Sequence, residues 1–335
     1  MYLIYMACIV IIVAGLKLAS QVVILLFLSI FLASIISPLF ITLQKKGVPR
    51  PLAFTLLLLS LFSVIFVVFA GVLDSLESFL GNLPQYQSRV DSFVGKGMEE
   101  LGRFGLVLDK DILKGSFDIR TFVLYGGKAA GNIGNFLSQT LIVVVGVAFI
   151  LLEAPRFGYK LELIFKDNSA AVESVALFSR TIQKYFIIKT FTSFLTGATI
   201  AAVLALFHME YAILWGFLAF VLNFIPVIGS LIAAIPALVM ALLYHDTSTF
   251  LWLVLVYFVI NQVISNILEP KIMGDGLGLS PAAVFFSLIL WGWILGPVGM
   301  FLAVPLTMTL KIAFDTNPDT RWVGVLLAGS AGETQ

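Results

Sequence analysis

Charged residues are scarce in this chain of 335 residues. They make up 12% of it, against roughly a quarter in an average soluble domain, whereas 60% of the residues are hydrophobic and the mean hydropathy is +1.06. The 20 basic and 19 acidic groups leave a net charge of +1, so the chain has no basic field that would attract nucleic acid. The composition excludes a soluble globular protein and predicts a polytopic membrane protein.

Cysteine and histidine are also rare. Cys8 is the only cysteine, which excludes an internal disulfide and a cysteine-based metal cluster. The sequence contains no Walker motif, which argues against an ATP-driven pump, and no set of nucleophile, base and metal ligands that would build an enzyme active site. We therefore expect no enzymatic activity, no metal site and no cofactor, and leave open a coupling to protons or sodium.

Long apolar runs make up most of the sequence. They predict an all-α protein with about eight membrane segments and a small helical cap outside the membrane. The Glu153-Ala154-Pro155-Arg156 stretch is expected to end the fourth helix. The predicted regions are an N-terminal scaffold of transmembrane helices (1–73), the cap (74–135), a fourth span followed by a cytoplasmic amphipathic helix (136–189), a core with two broken-helix repeats (190–312) and a C-terminal tail (313–335).

Basic residues predict how the chain is oriented. Lys45, Lys46 and Arg50 share one short loop that contains no acidic residue, and such loops lie on the cytoplasmic side of membrane proteins. Counting spans from this loop places the N-terminus in the cytoplasm. Lys311 and the C-terminus fall on the same side.

One sequence pattern occurs twice, in residues 211–243 and 282–311. In each copy Trp-Gly is followed by Pro-Val, then Gly, then Ala and Pro. The arm before each Pro-Val is about fifteen residues, or about 22 Å of helix, which is shorter than the roughly 30 Å hydrocarbon core. We interpret both copies as re-entrant hairpins, and one intervening span makes them an inverted pair. The alternative for 211–243 is a single kinked helix.

The polar and turn-forming residues at the two breaks and on the span between them are candidates for substrate binding or gating. They are Asn223, Pro226, Gly229, Ser230, Asn261, Gln262, Asn266, Glu269, Gly296, Pro297 and Gly299. Thr192 and Thr196, near one face of the preceding span, would form the wall of a polar path. The alternative for these threonines is helix packing through small hydroxyl residues.

Helical spacing places Gln262, Asn266 and Glu269 on one stripe and Asn261 with Ser265 on another. Placing a charged carboxylate in a membrane helix costs free energy, and such residues usually have a function. We therefore predict that Glu269 acts as a gate or proton carrier. A hydrogen-bonded seam between helices is the alternative for the whole stripe. A local ion pair with Lys271 is the alternative for Glu269 itself.

Several motifs are similar to those of the AI-2E transporter family, also called the PerM family, and most of all to its autoinducer-2 exporter subgroup. They are NFIPVIGS at 223–230, NILEPKIMG at 266–274, LGLS at 277–280 and WGWILGPVGMFLAVPLT at 291–307, with LPQY at 83–86 and LEAP at 152–155.

The resemblance implies a secondary transporter, multi-pass in the bacterial cytoplasmic (inner) membrane, that exports autoinducer-2 or a similar small polyhydroxylated solute. It also implies a ring-like homo-oligomer, by analogy a pentamer, whose partners are the solute and the lipid bilayer. Under this hypothesis, Asn223→Ala or Asn266→Ala abolishes efflux. The alternative is a sodium (lithium)/proton antiporter in which Glu269 titrates. The sequence favours the exporter because it lacks paired carboxylates in mid-span.

Overall fold

The structure, a computed structural model, describes residues 2–103, 133–164, 169–226, 228–273, 278–316 and 319–329. Every element of secondary structure within these residues is helical. The predicted all-α class is therefore confirmed.

The helices of the first half of the chain are α1 (Tyr2–Leu18), α2 (Ser20–Lys45), α3 (Arg50–Gly81), α4 (Leu83–Arg103) and α5 (Ile133–Ile164). Those of the second half are α6 (Ser169–Leu206), α7 (Ala212–Leu222), α8 (Ile228–Tyr244), α9 (Thr247–Asn261), α10 (Glu269–Met273), α11 (Pro281–Phe301), α12 (Ala303–Thr316) and α13 (Arg321–Leu327). A π-helical turn, Gln262–Leu268, joins α9 to α10.

Five helical stretches in the described part of the chain are long and apolar enough to cross a membrane. They are Ser20–Lys45, Arg50–Gly81, Ser179–Leu206, Thr247–Met273 and Pro281–Phe301. Three shorter apolar helices accompany them: Ser138–Glu153, Ala212–Leu222 and Ile228–Tyr244. This set indicates a multi-pass membrane protein, and the count of about eight membrane segments stays a prediction.

Helix α6 lies at the centre of the second half and contacts α2, α7, α9, α10 and α12. Its crossing with α7 is close, because a Cβ atom built on Gly197 would lie 2.6 Å from the Gly216 carbonyl oxygen. Small residues at such crossings let two helix backbones approach, which is how membrane helices gain packing energy. The crossing fixes α7, and with it the first break, against the polar face of α6.

The predicted end of the fourth helix is wrong. Helix α5 continues through Pro155 to Ile164, although proline removes one backbone hydrogen bond and crowds the preceding turn. The Leu152 carbonyl, one turn before the proline, accepts a hydrogen bond from the Arg50 guanidinium. A side chain from another helix thus bonds to the turn before the proline, next to the Leu151 carbonyl that loses its usual N–H partner.

Helix α6 also runs without interruption across position 189, the predicted border between a cytoplasmic helix and the next span. The candidate membrane span within it, Ser179–Leu206, includes Lys189. Of the predicted cap, residues 104–132 lie outside the described residues. The predicted borders between regions stay predictions.

The first break separates α7 from α8 between Leu222 and Ile228. A Cβ atom on Gly229 would lie 1.8 Å from the Leu222 carbonyl oxygen, whereas seven residues of continuous helix would separate the two positions by about 10 Å. The chain therefore turns back on itself here, and only glycine fits at position 229.

The second break lies inside the stretch assigned to α11, at Gly296. This residue has φ of 68° and ψ of −154°, a backbone conformation that is essentially restricted to glycine. Beyond it, a Cβ atom on Gly299 would lie 2.0 Å from the Trp291 carbonyl oxygen, and the Trp291 indole N–H donates to Thr307 Oγ1 at 3.1 Å. The chain folds back at both copies of the repeat. The re-entrant and inverted placement in the membrane stays a prediction.

A cluster of tyrosines ties α4 to the corner between α6 and α7. The Tyr86 hydroxyl lies 2.8 Å from that of Tyr211 and donates to Glu210 Oε2 at 3.1 Å, and Asn82 Nδ2 donates to the Tyr211 hydroxyl at 2.9 Å. Tyr211 has φ of 60°, which is uncommon for a residue other than glycine. The hydrogen bonds and the Phe79 ring, 5.6 Å from Tyr211, hold it in that conformation.

Burial, followed by the hydrogen bond with Tyr211, raises the pKa of Tyr86. A tyrosine in an unfolded chain ionises near pH 10. Stability that comes from the protonated hydroxyl is therefore fully present below about pH 10 and is lost as the pH rises towards the higher pKa of the folded protein. We expect the Tm of the wild type to fall more steeply between about pH 9 and 11 than that of Tyr86→Phe. Parallel pH profiles of Tm would contradict this.

Candidate functional site

One face of α6 carries polar side chains that are buried in the protein. Lys189, Thr192, Ser193 and Thr196 are each exposed by 4% or less, and their spacing of three, four and seven residues places them on one helix face. Thr196 Oγ1 donates to the Thr192 carbonyl at 2.9 Å, so its hydroxyl is satisfied within the helix. Lys189, Thr192 and Ser193 instead have partners on other elements.

Lys189 and Glu269 form a buried ion pair between α6 and α10. Lys189 Nζ donates to Glu269 Oε1 at 2.8 Å and to Oε2 at 3.0 Å, and Thr192 Oγ1 also donates to Oε2 at 3.0 Å. The lysine side chain is 5% exposed and the glutamate side chain 14% exposed. A buried charge is tolerated when it is paired and hydrogen-bonded, and both conditions hold here. The alternative pairing of Glu269 with Lys271 is wrong, since the partner of Glu269 is Lys189.

Asn223, the residue after α7, connects the first break to two other elements. Its Nδ2 donates to Ser193 Oγ at 3.1 Å, and its Oδ1 accepts from Ser265 Oγ at 3.3 Å. The amide is only 4% exposed, and both ends of it are satisfied by hydroxyls. Two hydrogen-bonded sets therefore lie on neighbouring turns of α6: Lys189, Thr192 and Glu269 form one, and Ser193, Asn223 and Ser265 form the other. We call these six residues the polar ladder.

The π-helical turn decides which residues of the connecting span face the ladder. Ser265 and Glu269 both point to α6 and Asn223, whereas Asn266 is exposed and donates to Gln262 Oε1. Gln262 and Asn266 share a face, as predicted, but Glu269 does not share it with them. A π-turn holds more residues than an α-helical turn, so the residues that follow it are rotated relative to an ideal α-helix.

Six of the other predicted site residues lie around the breaks, and the seventh, Asn261, ends α9. Asn261, Pro226, Ser230 and Gly296 are half-buried, Gly229 and Gly299 are buried, and Pro297 is exposed. The structure brings none of these seven residues into the polar ladder. The positions of the six at the breaks fit a role in shaping them.

An aromatic cluster brings the two breaks together. The ring of Phe224, next to Asn223, lies 4.4 Å from that of Phe301, two residues beyond Gly299. Phe31 of α2 packs edge to face against both rings, at 5.9 and 5.1 Å. Contacts of this kind favour one arrangement of the rings beyond the effect of area burial. Residues from both repeats therefore share one apolar cluster, which begins at the residue after Asn223.

Three members of the ladder are absent from the predicted site residues: Ser193, Ser265 and Lys189. The charged one is Lys189. Its position at the end of a basic stretch suggests a cytoplasmic residue, but α6 carries it into the apolar span. The available signal is its spacing, because Lys189, Thr192 and Thr196 fall on one helical face. Within the described residues, no group of three or more histidine, cysteine, aspartate or glutamate side chains is arranged to hold a metal ion.

The sequence pattern shared by AI-2E family transporters matches residues 6–319. The chain belongs to the AI-2E transporter family. The AI-2 transport protein TqsA of Escherichia coli K12 is 35% identical over 328 residues, which cover 97% of this chain and 94% of TqsA. A Haemophilus influenzae protein that bears the provisional name of a transport protein is 38% identical over 331 residues, 96% of this chain and 94% of its own length.

Membership of the AI-2E family identifies a transport protein rather than an enzyme. A third relative, from Borreliella burgdorferi, is 30% identical over 341 residues, which cover 96% of this chain and 90% of that protein. The resemblance found in the sequence motifs is thus confirmed at the level of the family.

Proposed function

We propose that this AI-2E family transporter exports autoinducer-2 or a similar small polyhydroxylated solute along the polar ladder. The observation that carries the proposal is Asn223, a buried amide at a helix break that bonds to hydroxyls from two other elements. Amides and hydroxyls both donate and accept hydrogen bonds. Asn223 and its two serine partners can therefore release one another and bond to the hydroxyls of a solute instead. The 35% identity to TqsA, an AI-2 transport protein, supports this choice of solute.

The proposal includes the orientation of the protein in the membrane and its assembly. The termini and Glu269 lie on the cytoplasmic side of a bacterial inner membrane, as the basic loop at 45–50 suggests, and copies of the chain form a homo-oligomeric ring. Apolar side chains such as Phe66 and Val67 of α3, exposed by 74% and 67%, suit contact with lipid or a neighbouring copy. The half that contains the two breaks moves against the early helices, as in other transporters that are built on broken helices.

Asn223→Ala tests the proposal. We expect it to slow efflux of autoinducer-2 from loaded proteoliposomes by about tenfold or more, because two buried hydroxyls lose their partner and the solute loses an amide. The loss should be largest at low solute concentration, since a binding group is removed. Initial efflux rates over a range of internal concentrations provide the measurement.

Asn266→Ala is the matched control, because it removes the same amide from an exposed position three residues away from Glu269. The sequence alone predicts loss of efflux for this variant too, but the Asn266 amide bonds to Gln262 outside the ladder, so we now expect efflux close to that of the wild type. Size-exclusion profiles establish that both variants assemble. Equal rates for Asn223→Ala and the wild type would remove Asn223 from the path, and wild-type protein without efflux of autoinducer-2 would refute the choice of solute.

A cation/proton antiporter is the second candidate, and the burial of Glu269 among apolar helices favours it, since its side chain is 14% exposed. Buried carboxylates in membrane proteins often carry protons. This function predicts proton movement in response to a sodium gradient, followed with a pH-sensitive dye, and its loss in Glu269→Gln. Vesicles that show no response to sodium would rule it out.

A further inference from the structure

We propose that the Lys189 ammonium is a tethered cation that occupies the place of a sodium ion or proton at Glu269, so that export needs neither. The inference rests on the proposed function, because it states how the same polar ladder remains electrically neutral during transport. It also predicts a cation site in this protein, one that opens only when the lysine side chain is removed.

The geometry around Glu269 is that of an occupied cation site. Both carboxylate oxygens lie 2.8 and 3.0 Å from Lys189 Nζ, and Thr192 Oγ1 lies 3.0 Å from Oε2. Both oxygen atoms of the carboxylate thus face the ammonium, and the Thr192 hydroxyl bonds to one of them. Oxygen atoms of carboxylates and hydroxyls are the ligands that hard cations prefer. A carboxylate left here without a cation would be an uncompensated buried charge.

This pair differs from the other lysine contacts of the region. Lys311 and Asp315 also form an ion pair, at 2.7 Å, but they are neighbours on one helix and are exposed by 20% and 37%, where charges interact weakly. Lys184 Nζ donates to the Met273 carbonyl at 2.8 Å. It therefore anchors the same short helix, α10, to α6, but through a neutral group.

Lys184 provides a matched control, because Lys184→Ala removes a lysine that joins the same two helices without leaving a carboxylate unpaired. Lys189→Ala should lose efflux of autoinducer-2 by roughly tenfold or more in choline buffer, and recover most of it in buffer with sodium, lithium or ethylammonium. Lys184→Ala and the wild type should transport equally in all these buffers. Lys189→Arg, which keeps a cation in place, should also be insensitive to them.

A second measurement is independent of the transported solute. A ligand that binds only the folded protein raises its Tm, so sodium or ethylammonium should raise the Tm of purified Lys189→Ala and leave that of the wild type, Lys184→Ala and Lys189→Ala/Glu269→Gln unchanged. The double variant has no carboxylate to neutralise. If autoinducer-2 is not the solute, no variant will show efflux. The Tm shifts will still show whether Lys189→Ala binds an added cation.

Three outcomes would overturn the inference. The first is wild-type efflux that depends on sodium or on a proton gradient, because the carboxylate then exchanges its cation. The second is Lys189→Ala that transports like the wild type in choline. The third is a Lys189→Ala protein whose efflux and Tm respond to no added cation. If Lys189→Ala does not assemble, an assembled double variant that transports without added cations supports the inference, and one that requires sodium contradicts it.

Discussion

Replacing Glu269 with leucine is expected to lower the free energy of unfolding by about 3–5 kcal/mol, because the change strands a buried ammonium. Lys189 is 4% exposed, and its two hydrogen bonds to Glu269 are the contacts that satisfy its charge. Leucine has a similar volume but accepts no hydrogen bond. Unfolding by a denaturing detergent in mixed micelles measures the loss.

Two further variants separate the loss of pairing from a general effect of the substitution. Lys271→Met removes a charge two residues away at an exposed position and should change stability by less than about 0.5 kcal/mol. Lys189→Met/Glu269→Leu removes both charges and should recover most of the loss, as replaced buried pairs commonly do. A double variant as unstable as Glu269→Leu would mean that the two side chains act separately.

Gly229→Ala and Gly299→Ala are each expected to destabilise the protein by about 3 kcal/mol, since the added methyl group would overlap a backbone atom. The new Cβ atoms would lie 1.8 Å from the Leu222 carbonyl oxygen and 2.0 Å from the Trp291 carbonyl oxygen. These oxygens belong to the helices that precede the breaks, so they cannot rotate away as a side chain would. The yield of folded protein and its Tm measure the effect.

Gly71→Ala is the control for both substitutions. It places the same methyl group in an apolar helix, where the nearest atom lies 4.0 Å from the new Cβ, and alanine favours the helix over glycine. Its Tm should equal or exceed that of the wild type. If either break variant behaves like Gly71→Ala, the chain does not fold back as tightly as described.

The breaks were predictable because their causes are local. Proline lacks the backbone N–H that a helix needs, and glycine permits the φ of 68° found at Gly296. The repetition of Trp-Gly, Pro-Val and Gly in two segments therefore shows where the chain turns back. A proline does not mark a break at every position. Helix α5 continues past Pro155, where the guanidinium of Arg50, about a hundred residues earlier, bonds to the Leu152 carbonyl.

The ion pair was not predictable, because its members are 80 positions apart. The charge of Glu269 is plain in the sequence, but its partner depends on how α10 packs on α6. Lys271, two residues away, is the natural candidate from the sequence and is exposed. The π-turn that aims Glu269 at Lys189 comes from one shift in backbone hydrogen bonding, and ordinary helical periodicity does not reveal it.

The sequence by itself determined that this is an all-α membrane transport protein of the AI-2E family, with two breaks marked by glycine and proline. Composition and backbone chemistry are properties of the chain at each position, so they need no neighbours in space. Tertiary structure decided that Asn223 joins Ser193 to Ser265 and that Lys189 neutralises Glu269. A buried polar group must find a partner, and packing determines which group is within reach.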